Sequence, residues 1–151
     1  LTSLPNAEYE GKPPRFPLPS YRVYDFDVDG SVVKDDPGAR SFHRRELELW
    51  RQLWKSPQAY AWSMPQYSYM IWDIALYCRS LIIAQDSTAK AADRTLLPRY
   101  ADRIGLSAAG LAQLGWRIAP DELAQKRLER SILEENANAE GHTFERRLRA
   151  V

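Results

Sequence analysis

From Ser41 onward the apolar residues fall into helical period. Leu47, Trp50, Leu53 and Trp54 stand three and four apart and form one stripe on a predicted helix. Ser56-Pro57 stops that helix and starts another, with Ser as N-cap and Pro at the first helical position. Met64-Pro65 repeats the device. A helix from about Pro65 to Gln85 follows, with Met70, Ile71, Ile74, Tyr77, Cys78, Leu81 and Ile82 on one face and Trp72, Leu76 and Ile83 elsewhere round it. A helix apolar on nearly every side belongs in a core or at a subunit contact. Ser87 is the predicted cap of the next helix. Ala92, Leu96, Leu97, Tyr100 and Ile104 are its buried stripe, and Pro98 should kink or shorten it. Gly105 ends it, and Ser107 caps a short helix running to Gly115. Pro120 opens a last, charged segment with a thin seam of Leu123, Leu128, Ile132 and Leu133. Asn136 to Gly141 weaken it, and Phe144 and Leu148 add another turn or two.

Before Ser41 the pattern is different. Residues 1–20 hold Pro13-Pro14 and Pro17-Leu-Pro19 and read as an extended arm, disordered alone or ordered by lying on a neighbour. Around Asp29-Gly30, β-branched and aromatic residues predict one short β-hairpin. The expected fold is therefore mainly α: a helical core over 41–119, an extended Pro-rich arm and hairpin over 1–40, and a charged helical segment over 120–151 for an oligomer or partner contact.

Length and composition fit one domain, at 151 residues and 44% hydrophobic. Charge changes the picture only in its distribution. Overall it is +1, but residues 41–119 carry ten basic and six acidic side chains between mildly acidic ends. Such a body can meet an anionic partner, though weakly. The single cysteine, Cys78, rules out an internal disulfide and lies in the most apolar segment, where it reads as a small buried hydrophobe. The run from Met64 to Gln85 has the length of a membrane span, but Asp73, Arg79 and Pro65 argue against one. Four of the five tryptophans stand between positions 50 and 72, and Trp116 closes the block, so either one core or a subunit contact must absorb that aromatic surface.

Three local patterns carry chemistry. Asp25-x-Asp27-x-Asp29-Gly30, with Asp36 at position twelve, has the spacing of a calcium loop. A solvated polar turn explains the same residues and is preferred, because no entering helix precedes the loop and Asp replaces the usual final Glu. Tyr100, Ala101, Ile104, Gly105, Leu106, Leu111 and Leu114 fit a helix-turn-helix. Its second helix, however, offers only Gln113 and the Ser107 cap as polar side chains, so a structural turn is favoured over base reading. Basic residues gather at Arg44, Arg45, Arg51 and Lys55, at Lys90, Arg94, Arg99 and Arg103, and at Arg146, Arg147 and Arg149. Each group alone is a solvated helix face. Repeated around a symmetric ring, they become a band that holds a phosphate backbone. No phosphate loop, Cys/His metal spacing or nucleophile context is visible, and neither an enzyme nor a cofactor is expected.

Three phrases, in order, resemble the small terminase subunits of tailed phages that infect actinobacteria: Leu49-Trp-Arg-Gln-Leu-Trp-Lys-Ser-Pro-Gln-Ala59, Ile74-Ala-Leu-Tyr-Cys-Arg-Ser-Leu81, and Arg99-Tyr-Ala-Asp-Arg-Ile-Gly-Leu-Ser107 running to Leu114-Gly-Trp116. The resemblance covers about residues 46–118. It departs at Ala108, where the family tends to have proline, and in a following helix without the arginine often found there. The resemblance implies a non-enzymatic DNA-packaging component: a homo-oligomeric ring in the host cytoplasm that binds viral double-stranded DNA during phage assembly. It would present that DNA to the large terminase subunit, which holds the ATPase and nuclease. On that reading Lys90, Arg94, Arg99 and Arg103 are the first candidates for DNA contact, with Arg44, Arg45, Arg146, Arg147 and Arg149 next. Trp50, Trp54, Trp72, Ile74, Leu81 and Trp116 are candidates for core or oligomer contacts. The alternatives are a structural virion or connector protein making only protein contacts, and a calcium-dependent module at residues 25–36.

Overall fold

The computed structural model describes residues 1–149. The fold is mainly α. Its helices are α1 (Asp36–Leu53), α2 (Gln58–Trp62), α3 (Ile71–Ala84), α4 (Ala91–Ile104), α5 (Ala108–Leu114) and α6 (Glu122–Arg149), with a 3₁₀ turn at Pro65–Met70. Four three-residue strands make two small sheets. The predicted hairpin is β2 (Tyr24–Phe26) antiparallel to β3 (Val32–Lys34). The second sheet was not foreseen: β1 (Thr2–Leu4) runs parallel to β4 (Trp116–Ile118), with Thr2 opposite Trp116. The chain divides into two units, residues 1–118 and the segment from Ala119 onward.

Several helix ends differ from expectation for identifiable reasons. Helix α1 starts before Ser41, because the Asp35 carboxylate accepts the Gly38 N–H at 2.9 Å and Pro37 stands in the first turn. Ser56 does not open α2; its hydroxyl donates to the Leu53 carbonyl at 2.6 Å and closes α1. Lys90, not Ser87, stands at the N-cap of α4, where the Asp93 carboxylate accepts the Lys90 N–H at 2.8 Å. Pro98 does not end α4, which runs through it. Of the stripe expected on α4, Ile104 is buried and Leu97 and Tyr100 are half-buried, but Ala92 and Leu96 are exposed. Likewise α6 is continuous across Asn136 to Gly141. At 100° per residue its apolar positions do not make one seam. Leu128 and Ile132 share one side, while Leu133, Phe144 and Leu148 share another.

Four of the five tryptophans find their shelter within one chain. Trp50, Trp54, Trp62 and Trp116 are all buried, together with Ile74. The Trp50 and Trp54 rings stand 5.7 Å apart, Trp54 and Trp62 5.5 Å, and Phe16 meets Trp50 edge-on at 5.2 Å. Leu81 is half-buried. Trp72 is 55% exposed and no part of the core, because it faces away from the buried Met70, Ile74 and Cys78 side of α3.

The arm, expected to be disordered alone or to lie on a neighbour, instead lies on its own body. Leu4 and Phe16 are buried. The Trp50 indole N–H donates to the Pro14 carbonyl at 2.9 Å, the Tyr9 N–H to the Lys55 carbonyl at 2.9 Å, and the Tyr60 hydroxyl to the Glu8 carbonyl at 3.1 Å. Pro13, Pro14, Pro17 and Pro19 lack an N–H and cannot donate to a sheet, and the Trp50 side chain of α1 takes up the Pro14 carbonyl instead.

Two polar devices tie the helices together. Glu46 of α1 is fully buried, and Arg79 of α3 grips it through two N–H···O bonds of 2.8 and 3.2 Å. The same guanidinium donates to the Pro19 carbonyl and lies 5.5 Å from the Tyr21 ring centroid. A buried pair survives only when it is bonded this fully. The second device closes α4. Gly105 adopts φ 78°, where an L side chain is strained, and its carbonyl accepts from the buried Gln58 amide at 3.0 Å. The neighbouring Ile104 carbonyl accepts the Trp62 indole N–H at 3.0 Å. Helix α2 thus satisfies carbonyls that α4 leaves unpaired. Among the described residues, no helix is long and apolar enough to cross a membrane.

Candidate nucleic-acid interface

Two of the basic groups read from the sequence converge. An open cleft of about 400 Å³ lies between the segment entering β2, helix α1, the end of α3 and the start of α4. Arg22, Arg45 and Lys90 line it, with Tyr21, Tyr24 and Phe42 as aromatic walls. Arg45 is held by its bond to the Gln85 amide oxygen at 3.0 Å. Arg94, one turn beyond Lys90, is exposed and reaches the Asp86 carbonyl at 3.4 Å.

Two carboxylates also face the cleft, and both are engaged by their own backbone. Asp86 accepts the Thr88 N–H and hydroxyl, each at 2.8 Å, which close the turn after α3 and hold its carboxyl below the ordinary carboxylate range. Asp93 caps Lys90, where its charge also favours the helix N-terminus. Three cations against two occupied carboxylates leave a modest positive surface. Such a surface suits phosphate oxygens, which accept from arginine and lysine irrespective of base sequence.

The remaining basic candidates lie elsewhere. Arg44 is exposed on α1 but does not line the cleft. Arg99 is exposed further along α4, and Arg103 pairs with Asp73 of α3 at 3.1 Å. The thirteen steps from Lys90 to Arg103 span about 20 Å of helix, so the four cations of this stretch are two pairs and not one patch. Arg146, Arg147 and Arg149 are exposed on the last turns of α6, in the other unit. Arg22 and Tyr24 were missed in the sequence. The phrase Tyr21-Arg-Val-Tyr24 carried a signal, aromatic residues beside a cation, but it read as a strand.

A tight turn at Gly105 joins α4 to α5 where the helix-turn-helix was expected. Ser107 caps α5 by accepting the Gly110 N–H at 2.9 Å, and it also bonds the Asp102 carboxylate. A Cβ on Gly110 would stand 2.3 Å from the Asp102 carbonyl oxygen, so only glycine lets α5 cross α4 this closely. The exposed positions of α5 are Ala108, Ala109, Ala112 and Gln113, and none is a cation.

The calcium reading of residues 25–36 does not hold. Asp25 accepts the Phe26 N–H, Asp27 the Val28 N–H and Asp29 the Ser31 N–H, each within 2.9 Å. Asp36 belongs to α1. The strand–turn–strand path strings these carboxylates along a hairpin, whereas a calcium loop curls them inward. Among the described residues no three His, Cys, Asp or Glu side chains are grouped to hold a metal ion. Cys78 is buried, and burial first, with the Glu46 charge second, pushes its thiol up to about 12, the opposite of an activated nucleophile.

No protein-family model, curated protein or solved structure matches the chain.

Proposed function

We propose that this chain is a non-catalytic DNA-packaging component of the small-terminase kind. It assembles with copies of itself in the host cytoplasm, holds viral double-stranded DNA by its phosphates, and presents it to a large subunit that carries the ATPase and nuclease. The observation that supports it best is the convergence of Arg45 with Lys90, from segments far apart in sequence, on one open cleft beside Arg22 and Arg94. The motifs behind the resemblance are also coupled: Gln58 of the Pro-Gln-Ala phrase bonds the carbonyl of Gly105 in the Ile-Gly-Leu-Ser phrase.

Duplex affinity measured against salt tests the reading. Lys90→Glu with Arg94→Glu should weaken binding and reduce the slope of log affinity on log salt by about two, one per lost phosphate contact. Arg45→Glu should act in the same direction. Salt-independent or absent duplex binding by the wild-type chain would sink the reading. A structural virion or connector protein is the second reading, favoured by the exposed apolar side chains of α6. It requires protein contacts without DNA affinity.

A further inference from the structure

The cleft beside Lys90 holds more than phosphate chemistry requires. Contact with a duplex backbone needs only exposed cations and other donors. This cleft also has apolar Ile82 and Ile83 and an aromatic wall, and at about 400 Å³ it has the size of a small-ligand site. Its rings are not equivalent. Tyr21 is used within the fold: it stacks on Phe42 at 4.5 Å, and the Arg79 guanidinium lies 5.5 Å from its ring centroid. Tyr24, by contrast, is 51% exposed.

The hairpin extends that open ring into a strip. Its register pairs Tyr24 with Lys34 and Phe26 with Val32. Alternation sets Tyr24, Phe26, Val32 and Lys34 on one face, and Asp25 with Val33 on the other. Phe26 is 74% exposed, and two strand residues separate it from Tyr24 by about 7 Å. Arg22 lines the cleft just before Tyr24. The order is therefore cation, ring, ring, with Lys34 opposite the first ring. The Asp35 N–H donates to the Val23 carbonyl at 2.8 Å, which ties this strip to the cap of α1. Asp27 and Asp29 lie beyond Phe26, so negative charge bounds the strip at its tip.

The two cleft carboxylates fit a base better than a phosphate. Asp86 uses only Oδ1 on Thr88, and Asp93 uses only Oδ2 on the Lys90 N–H. The second oxygen of each repels a phosphate but accepts from the amino group of a base.

The geometry points to single-stranded DNA as a ligand of this strip. One unpaired base enters the Lys90 cleft against Tyr24, the next stacks on Phe26, and Arg22, Arg45, Lys90 and Lys34 take the phosphates. This rests on the DNA partner of the proposed function and deepens it, because the same cleft then holds an opened strand. In a duplex the bases are paired and stacked inside. Only an unpaired strand offers its faces to side-chain rings, and a cationic groove with aromatic platforms is what such a strand needs.

Fluorescence anisotropy of a labelled short single strand, titrated with the full chain, tests it. The wild type should bind that strand. An abasic strand of equal length keeps the phosphates and loses the bases, and it should bind at least about 5- to 100-fold more weakly. Phe26→Ala, outside the cleft, should weaken single-strand binding by about 5- to 100-fold and leave duplex affinity unchanged. Tyr24→Ala should weaken single-strand binding similarly, and Tyr24→Phe should keep it. An abasic strand that binds as well as the natural one overturns the base contacts, as does a Phe26→Ala variant with wild-type single-strand affinity. A nucleoside monophosphate offers one base and one phosphate, so it should bind far more weakly than the strand; equal affinity overturns the two-ring strip. Duplex of the same sequence separates the two claims. A wild type that binds duplex and ignores single strands overturns this inference and leaves the packaging reading standing. One that binds single strands and ignores duplex keeps the inference and counts against that reading.

Discussion

Residues 1–118 and helix α6 are built on different principles. The first unit buries four tryptophans and a carboxylate, and its polar contacts are long-range: Glu46 with Arg79, Gln58 with Gly105, Trp62 with Ile104 and Trp50 with Pro14. Helix α6 buries none of its 28 residues, and Leu123, Leu128, Ile132, Leu133, Phe144 and Leu148 stay exposed along it. One region is held by tertiary contacts that over-determine it. The other is held by local hydrogen bonds alone, which leave most helices marginal in water. The difference predicts a body that unfolds cooperatively and a terminal helix that opens at little cost unless a partner covers it.

Substitutions can break that comparison, beginning where the effect is largest. Arg79→Met strands the Glu46 carboxylate in the core and should cost about 3–5 kcal/mol, most of which Glu46→Leu added in the same chain should recover. Trp50→Ala belongs in the same range through cavity formation, about 3–5 kcal/mol. Denaturant melts of the full chain check both, and unchanged midpoints would refute the account of the core. Next comes the junction of α2 with α4. Gln58→Ala leaves the Gly105 carbonyl without its donor, and Gly110→Ala forces α5 off α4; each should cost about 1–3 kcal/mol.

Cys78 sharpens the same contrast along the pH axis. Its thiol is raised in the folded state, from an ordinary 9.0 to about 12, so the folded chain keeps a proton that the unfolded chain releases. That contribution is fully present below about pH 9 and is lost as pH climbs toward 12. Thiol reagents at pH 8 should therefore label Cys78 only on unfolding, and rapid labelling of the native chain would contradict its burial. The smallest effects belong to α6. Leu133→Ala or Phe144→Ala should move the main unfolding transition by less than about 0.5 kcal/mol. Gly141→Ala should raise helicity, with about 1 kcal/mol gained locally. A large shift of the main transition by either would mean that α6 shares the core.

The helical period from Leu47 to Trp54, the Gly105 stop, the Ser107 cap and the Asp29-Gly30 hairpin could all be read from the chain, because each depends on residues within a turn or two of one another. Lys90 and Arg94 were visible as a pair for the same reason. Arg22 and Tyr24 as cleft residues, and the splitting of the four cations from Lys90 to Arg103, were not. Proximity across α1, α3 and α4 depends on how the helices pack, and a list of cations carries no such information. The parallel pairing of β1 with β4 joins residues more than a hundred positions apart, and strands of three residues leave too little alternation to detect.

Local chemistry, then, was enough to establish a mainly helical chain, its turn glycines and the Ser107 cap, since propensity and capping act over a few bonds. Packing alone settled where the indoles go, that the proline arm clasps its own body, that Glu46 is buried against Arg79, and that Trp72 faces outward. The reason is that burial belongs to the three-dimensional neighbourhood. Trp50 and Trp72 are the same residue type on similar helices, and only the elements packed around each decide which one is covered.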